Sequence, residues 1–210
     1  MELTLFVPEN PRLARQLRFL LEADQLKGVV RRNYTTLGRR ENSAEHSWYA
    51  ALLAFFLAEY GPQPLDLQKV LAMLLIHDLV EIEAGDTFIY DGEGQRLRRL
   101  REEEAARRLF PLLPEDQEGG LWELWREFEE GDTSEALFAR AMDRLAPILL
   151  NFSNRGGPWK EAGVTRREVG ERAKVLERAA PALARYVEEL LREAERRGYL
   201  KPLEEGEGRG

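Results

Sequence analysis

The run Leu-Leu-Ile-His-Asp-Leu-Val-Glu occupies residues 74–81 and places a histidine beside an aspartate in apolar surroundings with helical periodicity. The pair is His77-Asp78, and the chain has one other histidine, His46. Imidazole nitrogens and carboxylate oxygens together suit divalent first-row metals. A lone histidine on an apolar face is usually a hydrogen-bonded core residue. Two of them, one joined to an aspartate, predict a metal site instead.

The predicted metal site needs a further carboxylate, and Asp143 is the best candidate because Ala139 and Ala146 share its helical face. The chain contains no cysteine, so the metal would be held by histidine and acidic side chains alone. Mn²⁺, Co²⁺, Fe²⁺ and Zn²⁺ all suit two imidazoles with two carboxylates, whereas Mg²⁺ prefers an oxygen-only shell. The predicted ligands are His46, His77, Asp78 and Asp143.

Size and charge favour one domain with a small ligand. The chain has 210 residues and a mass of 24.2 kDa, and we expect a single domain over residues 1–200 followed by a disordered tail at 201–210. A formal net charge of −7 argues against a nucleic acid polymer as partner. No apolar run approaches the roughly 20 residues that cross a bilayer, so we expect no membrane association and a cytoplasmic location.

Helical periodicity dominates the chain and no convincing alternating strand is present, so we predict an all-α fold. Asn42 and Glu45 have capping-box spacing, which predicts a helix start with His46 in the first turn. A helix over residues 67–83 would place Glu81 one turn beyond His77. The other predicted helix starts are Asn10-Pro11, Thr133-Ser134 and Thr165.

Three aromatic residues recur at helical spacing: Trp122, Trp125 and Phe128. They are most simply core residues or the anchors of an interface. Small all-α domains with exposed apolar helices often pair, and these three side chains offer more large apolar surface than one core obviously needs. We therefore expect a homodimer.

Two extended motifs carry a resemblance to a known family. Residues 39–47 read Arg-Arg-Glu-Asn-Ser-Ala-Glu-His-Ser, and residues 77–86 read His-Asp-Leu-Val-Glu-Ile-Glu-Ala-Gly-Asp. Followed by the distant Asp143, they resemble the HD-domain superfamily of metal-dependent phosphohydrolases, in particular its small bacterial 5'-deoxynucleotidase-like members. The resemblance extends from about residue 26 to about residue 165. It implies a single-domain HD-type helical bundle that cleaves nucleoside, above all deoxynucleoside, 5'-monophosphates to nucleoside and phosphate.

Two acidic residues near the motif are candidates for proton transfer. Glu81 shares a helix face with His77 and would orient the attacking water or exchange its proton; the alternative is a hydrogen-bond acceptor for a ligand imidazole. Asp86 opens a predicted loop over residues 86–95, which contains two glycines and no apolar stripe. The resemblance implies that Asp86 is a substrate-site residue, acting as general acid or holding a sugar hydroxyl; the alternative is a loop or helix cap.

The resemblance also implies a role for Arg31. It stands where the deoxynucleotidases have a phosphate-binding arginine, and a planar guanidinium suits a doubly charged phosphate. Arg32 then replaces an expected aromatic residue, and the nearest aromatic is Tyr34. With residues 32–36 and Asp86 lining the sugar, we expect only a partial preference for deoxyribose over ribose.

Two other functions are compatible with a metal site of this kind. One is hydrolysis of a phosphodiester or pyrophosphate in a signalling or damaged nucleotide, and the other is a non-catalytic regulatory module that binds a metal. The alarmone type resembles His-Asp followed shortly by adjacent Glu-Asp, whereas Glu81 is followed by Ile82. A regulatory module would have no need of both Glu81 and Asp86.

Overall fold

A computed structural model describes residues 6–86, 90 and 92–202, and for 92–96 it describes the backbone alone. The all-α prediction is confirmed, since the described chain is helical apart from one small hairpin. No described helix is both long and apolar enough to cross a bilayer. The helices are α1 (Pro11–Asp24), α2 (Ser43–Leu57), α3 (Leu67–Ile76), α4 (Glu81–Ala84), α5 (Gly92–Leu109), α6 (Glu115–Glu130), α7 (Ser134–Ser153), α8 (Gly157–Ala162), α9 (Arg166–Ala173), α10 (Val175–Ala179) and α11 (Pro181–Arg196), and the strands are β1 (Val30–Tyr34) and β2 (Arg40–Asn42).

The predicted helix starts are confirmed, because each predicted cap side chain accepts a hydrogen bond from a backbone N–H of the first turn. These caps are Asn10, Asn42, Thr133 and Thr165. Asn42 and Glu45 form the full reciprocal capping box at the start of α2. The box fixes the first turn of α2, and with it the position of His46.

The helix predicted over residues 67–83 is interrupted, and that prediction is wrong. The bonds of the usual helical span that continue α3 end at His77, whose N–H donates to the carbonyl of Met73 at 3.0 Å. The next bonds are shorter in span, with Glu81 N–H donating to the Asp78 carbonyl at 2.9 Å. The chain therefore tightens over residues 77–80 before α4 begins. This tight turn contains Asp78 and leads directly into Glu81, the first residue of α4.

A two-stranded antiparallel hairpin precedes α2 and was not expected from the sequence. β1 pairs with β2, with Val30 opposite Asn42 and Tyr34 opposite Arg40. Gly38 stands in the connecting turn at φ 77°, a left-handed conformation that glycine adopts without steric cost. The strands have five and three residues, too short for alternation to be recognised in the sequence. The hairpin places Arg31 and Glu41 near the N-terminal end of α2.

The main core is built around α7, which packs against α2, α3 and α10. A second, smaller core surrounds Phe110 and contains Trp125, with Trp122 packed against its edge. Phe128 belongs to the main core. Trp125 and Phe128 are therefore buried within the chain, and the expectation that the three aromatics supply an interface is wrong.

Part of the predicted loop at 86–95 and most of the predicted tail at 201–210 lie outside the described residues. Of the loop, Asp86 and Tyr90 are described and 87–89 and 91 are not, while the prediction is wrong for 92–95, where α5 already begins at Gly92. In the predicted tail, the Lys201 N–H donates to the Val164 carbonyl at 2.8 Å, and residues 203–210 are not among the described residues.

Candidate active site

Three helices bring predicted ligands together from distant parts of the chain. His46 lies in the first turn of α2, His77 follows the last residue of α3, and Asp143 lies in the middle of α7. They meet because α2 packs against both α3 and α7. All three side chains are buried, and one candidate ligand atom from each lies within 4.8 Å of the others.

The ring of His77 is oriented to bind a metal. Its Nδ1 lies 2.9 Å from the Leu74 carbonyl oxygen, and because a carbonyl can only accept, Nδ1 carries the hydrogen. The other nitrogen, Nε2, is buried without a hydrogen-bond partner among the described residues. It lies 3.1 Å from Asp78 Oδ1 and 3.5 Å from Asp143 Oδ1. A buried imidazole nitrogen facing two carboxylate oxygens is a donor set that fits a divalent cation.

Asp143 connects the two imidazoles. Its Oδ1 is 2.8 Å from His46 Nε2, and its Oδ2 is 3.3 Å from Arg144 Nη1. Burial opposes ionisation of this carboxyl, but Arg144 and the two histidines outweigh burial and hold the pKa of Asp143 well below its usual range. The carboxylate is thus kept ionised in a buried place, as a metal ligand must be.

The acidic groups also act on His77. Burial lowers the pKa of its imidazole, yet Asp78 and Asp143 outweigh that effect and raise the pKa to about 9. A proton and a metal ion compete for the same nitrogen, because both are attracted by the same carboxylates. The electrostatic field of this cluster therefore favours a cation at Nε2 of His77.

Arg31 lies against four carboxylates. Its Nη1 is 2.9 Å from Asp78 Oδ2, 3.4 Å from Asp86 Oδ1 and 3.5 Å from Glu81 Oε2. Its Nε is 3.6 Å from Glu41 Oε1. Arg31, predicted to bind phosphate, therefore also neutralises the acid cluster.

Glu81 stands one turn beyond His77, as predicted, and is almost completely buried. Its Oε2 accepts a hydrogen bond of 2.6 Å from the Ser43 hydroxyl. Burial and the nearby charges of Asp78 and Asp86 raise the pKa of Glu81 to about 8, against the opposing effects of Arg31 and Ser43. A carboxyl with a pKa in this range can both accept and donate a proton near neutral pH.

A cavity of about 130 Å³ opens onto this cluster. Its lining includes His77, Asp78, Glu81 and Asp143, together with Asp86 and Arg31. From the hairpin, Arg32 and Asn33 face the cavity, whereas the Tyr34 hydroxyl donates to Glu161 at 2.8 Å. The cavity is also lined by Tyr90, Arg98, Phe128, Glu129, Arg140, Arg144, Pro147, Ile148, Asn151, Trp159, Val169 and Arg172.

Sequence reasoning missed Glu41 and Arg144. Glu41 is buried, and its Oε1 lies 3.7 Å from Nδ1 of His46 on the side away from Asp143. Its position depends on the unpredicted hairpin, so spacing along the chain did not reveal it. Arg144 directly follows Asp143 in the sequence. Its adjacency to a predicted ligand was the available signal.

Comparison with known proteins agrees with this architecture. The family model described as HD domain matches residues 23–184. A structure from Magnetospirillum magnetotacticum, described as a predicted metal-dependent phosphohydrolase, is 47% identical, covers 94% of this chain and 100% of its own, and superposes with a TM-score of 0.89. The PH0347 protein of Pyrococcus horikoshii, 24% identical with a TM-score of 0.59 over 86% of this chain and 99% of its own, shows the shared fold.

Two curated relatives carry the name 5'-deoxynucleotidase HDDC2. The proteins from Bos taurus and Homo sapiens are each 33% identical over 135 residues, which is 63% of this chain. The matched parts span 64% and 65% of the length of those relatives, slightly less than two thirds. With the family match covering most of its length, the chain belongs to the HD domain family, as its two motifs predicted.

Proposed function

We propose that this protein is a metal-dependent phosphohydrolase that cleaves nucleoside 5'-monophosphates, with a partial preference for the deoxy form, to nucleoside and phosphate. The observation that carries the proposal is the meeting of His46, His77 and Asp143 beside a cavity whose lining includes His77, Asp143, Glu81 and Asp86. The relatives named 5'-deoxynucleotidase support the choice of substrate class.

The proposed metal ligands are His46, His77, Asp78 and Asp143. Asp78 presents Oδ1 toward His77 Nε2 while Arg31 binds its other oxygen, so it has one oxygen left for a cation. A divalent ion bound here would lower the pKa of a water molecule and polarise a phosphate oxygen. Mn²⁺, Co²⁺, Fe²⁺ and Zn²⁺ all fit this donor set.

Glu81 and Asp86 are the proposed proton-transfer groups. Glu81 is fixed by the Ser43 hydroxyl on one side and faces the cavity, so it can orient a water molecule and take its proton. The leaving sugar oxygen needs a proton, and Asp86, which lines the cavity, would supply it or hold a sugar hydroxyl. Hydrolysis gives each of the two acids a separate task. A regulatory module would need neither, so the presence of both argues against that alternative.

Arg31 is the proposed phosphate ligand. Nη1 is the atom that contacts Asp78, Glu81 and Asp86, and a guanidinium has further N–H groups to offer. Its side chain is 14% exposed and lines the cavity, so these donors are within reach of a substrate. Arg32 and Asn33 follow Arg31 in β1 and line the cavity, and both would face the sugar.

The decisive experiment measures released phosphate from a panel of nucleoside 5'-monophosphates after loading the protein with each candidate metal in turn. Cyclic nucleotides and dinucleoside pyrophosphates in the same panel test the competing hydrolase class. We expect about one divalent ion per chain by elemental analysis, with activity lost on chelation. Hydrolysis of diesters or pyrophosphates without monophosphate hydrolysis contradicts the proposed substrate class.

We also propose a homodimer, now through a different surface. Trp48, Leu52 and Phe55 recur at i, i+4 and i+7 on α2, with Phe56 beside them, and Trp48 and Phe55 are 61% and 56% exposed. A row of large apolar side chains on one helix face is typical of an interface, and a second copy offers a matching apolar surface. Light scattering of the parent and of a Trp48→Ser, Phe55→Ser variant tests this, and a monomeric parent contradicts it.

A cytoplasmic location likewise stays a proposal, tested by cell fractionation.

A further inference from the structure

The guanidinium groups around the cavity differ in how fully they are bound. Arg31 is surrounded by carboxylates, Arg98 pairs with Glu102, and Arg140 donates to two backbone carbonyl oxygens. These three are each held by strong acceptors of the protein. Arg144 is held less completely, although it also lines the cavity.

Among the described residues, the acidic contact of Arg144 is a single one, from Nη1 to Asp143 Oδ2 at 3.3 Å. Its side chain is 29% exposed, so it is partly removed from water without being enclosed. A guanidinium carries several N–H donors in one plane, and one carboxylate oxygen at this distance leaves most of them available. A partly desolvated arginine with unused donors is well suited to bind an oxyanion.

The two oxygens of Asp143 divide their contacts between the imidazoles and Arg144. Oδ1 faces His46 at 2.8 Å and His77 at 3.5 Å, while Oδ2 faces the guanidinium. A cation held by Oδ1 and the imidazoles would therefore lie one carboxylate group away from Arg144. An anion attached to that cation on the cavity side would come within reach of the remaining N–H groups.

The charges in the site indicate that a further cation is needed to bind a dianionic phosphate. Arg31 already faces Glu41, Asp78, Glu81 and Asp86, so it adds little net positive charge toward an incoming dianion. A phosphate monoester approaching these acids would be repelled unless the bound metal and a further cation compensate them. Arg144 is a cation on α7 beside the candidate metal ligands, and its acidic contact is with Asp143.

We propose that Arg144 binds a non-bridging phosphate oxygen of the substrate, as a second phosphate-binding residue beside Arg31. The inference rests on the proposed function for the identity of the substrate, while phosphate binding itself can be measured separately. In this role Arg144 touches the substrate and compensates charge on the phosphate. Its contact with Asp143 then orients the guanidinium.

The test compares the parent with Arg144→Met and Arg144→Lys, all loaded with the same metal, and measures the affinity for inorganic phosphate by titration calorimetry. Loss of a charge-assisted contact should weaken phosphate binding about 30-fold to 150-fold in Arg144→Met, equivalent to about 2 to 3 kcal/mol. Metal content should be unchanged. Arg144→Lys should recover part of the affinity, because it keeps the charge but loses the planar donor pair.

Arg192→Met is the control for loss of one positive charge, since Arg192 is exposed on α11 and pairs with Glu188. Its phosphate affinity should equal that of the parent. Equal affinity in Arg144→Met and the parent overturns the inference, as does a parent that binds no phosphate. Loss of metal with normal phosphate affinity after reloading also overturns it, because Arg144 would then only position Asp143. A parent that binds phosphate through Arg144 but hydrolyses no nucleoside monophosphate supports the inference and refutes the proposed function.

Discussion

The acid cluster around Arg31 and the ion pairs along α11 are made from the same kinds of residue at similar distances. Arg31 Nη1 lies 2.9 Å from Asp78 Oδ2, and Arg192 Nε lies 3.0 Å from Glu188 Oε1. The exposed side-chain fractions differ greatly, at 14% and 5% in the first pair and 65% and 45% in the second. Distance therefore says little about what an ion pair does.

Burial explains the difference. On α11 each charged group keeps most of its hydration, so a pair contributes little to stability and salt screens it. In the site the groups have lost most of their water, and each charge must be balanced by neighbouring charges and hydrogen bonds. The buried cluster can thus attract a cation, whereas the surface pairs stay hydrated and contribute little. Four substitutions test this contrast.

The largest effect is expected for Asp78→Ala. Asp78 is buried between His77 and Arg31, so its loss removes a proposed metal ligand and a partner of a buried guanidinium. We expect metal content to fall from about one ion per chain to near zero, activity to disappear, and the free energy of unfolding to fall by about 1 to 3 kcal/mol. Elemental analysis, phosphate release and urea denaturation measure these effects. Asp132→Ala, at an exposed aspartate, is the control. Full metal content and full turnover in Asp78→Ala would contradict the assignment of Asp78 as a metal ligand.

Arg31→Ala should have the next largest effect. Losing a charge-assisted contact to phosphate should lower kcat/KM about 30-fold to 150-fold, equally for all monophosphates, because the phosphate is common to them. Metal content should be retained, since the proposed ligands remain. Steady-state kinetics on a nucleotide panel and elemental analysis measure both. A loss that depends on the base or sugar would assign Arg31 to a different part of the substrate.

Asp86→Asn should change selectivity more than rate. Its Oδ1 lies 3.4 Å from Arg31 Nη1 at the cavity, where it would meet a sugar hydroxyl of a substrate whose phosphate is bound by Arg31. We expect the ratio of deoxyribonucleotide to ribonucleotide turnover to shift, because the 2'-hydroxyl is present in one substrate alone. Paired kinetics with dAMP and AMP, and with dCMP and CMP, measure the ratio. Equal rates for both sugars in the parent and the variant would remove Asp86 from sugar recognition.

Glu193→Gln should have the smallest effect and should depend on pH. Arg196 and Arg197 donate to Glu193 and lower its pKa to about 2. A lowered folded-state pKa stabilises the fold above the unfolded value near 4.5, and that contribution is lost as pH falls toward 2. The small stability difference between parent and variant at pH 7 should therefore vanish between pH 4.5 and 2. Thermal unfolding across this range measures it, and a difference that persists at pH 2 would point to packing as its origin.

Local sequence signals predicted the helix starts and part of the site, because they act over a few residues. The capping box at Asn42 placed His46 in the first turn of α2, and the spacing of His77 and Glu81 placed them one turn apart. The continuous helix over residues 67–83 was wrong. Nothing in the apolar pattern there shows that the chain tightens after His77.

The surfaces were harder to predict than the motifs. Trp125 and Phe128 are equally apolar whether they face a core or a partner, and their burial depends on what α6 packs against. The apolar row on α2 is exposed because α3 and α7 cover the other side of that helix. Periodicity identifies a face but does not say which neighbour covers it.

By itself the sequence determined the all-α class, the helix caps, the HD motifs and the identity of the groups able to bind a metal. These properties depend on residue type and short spacing, which the chain carries locally. Only the tertiary structure decided that Glu41 lies behind His46, that Arg31 is surrounded by acids, and that Arg144 keeps unused donors beside Asp143. Such relations join residues far apart in the chain, and they depend on packing and desolvation, which arise when the helices and the hairpin come together.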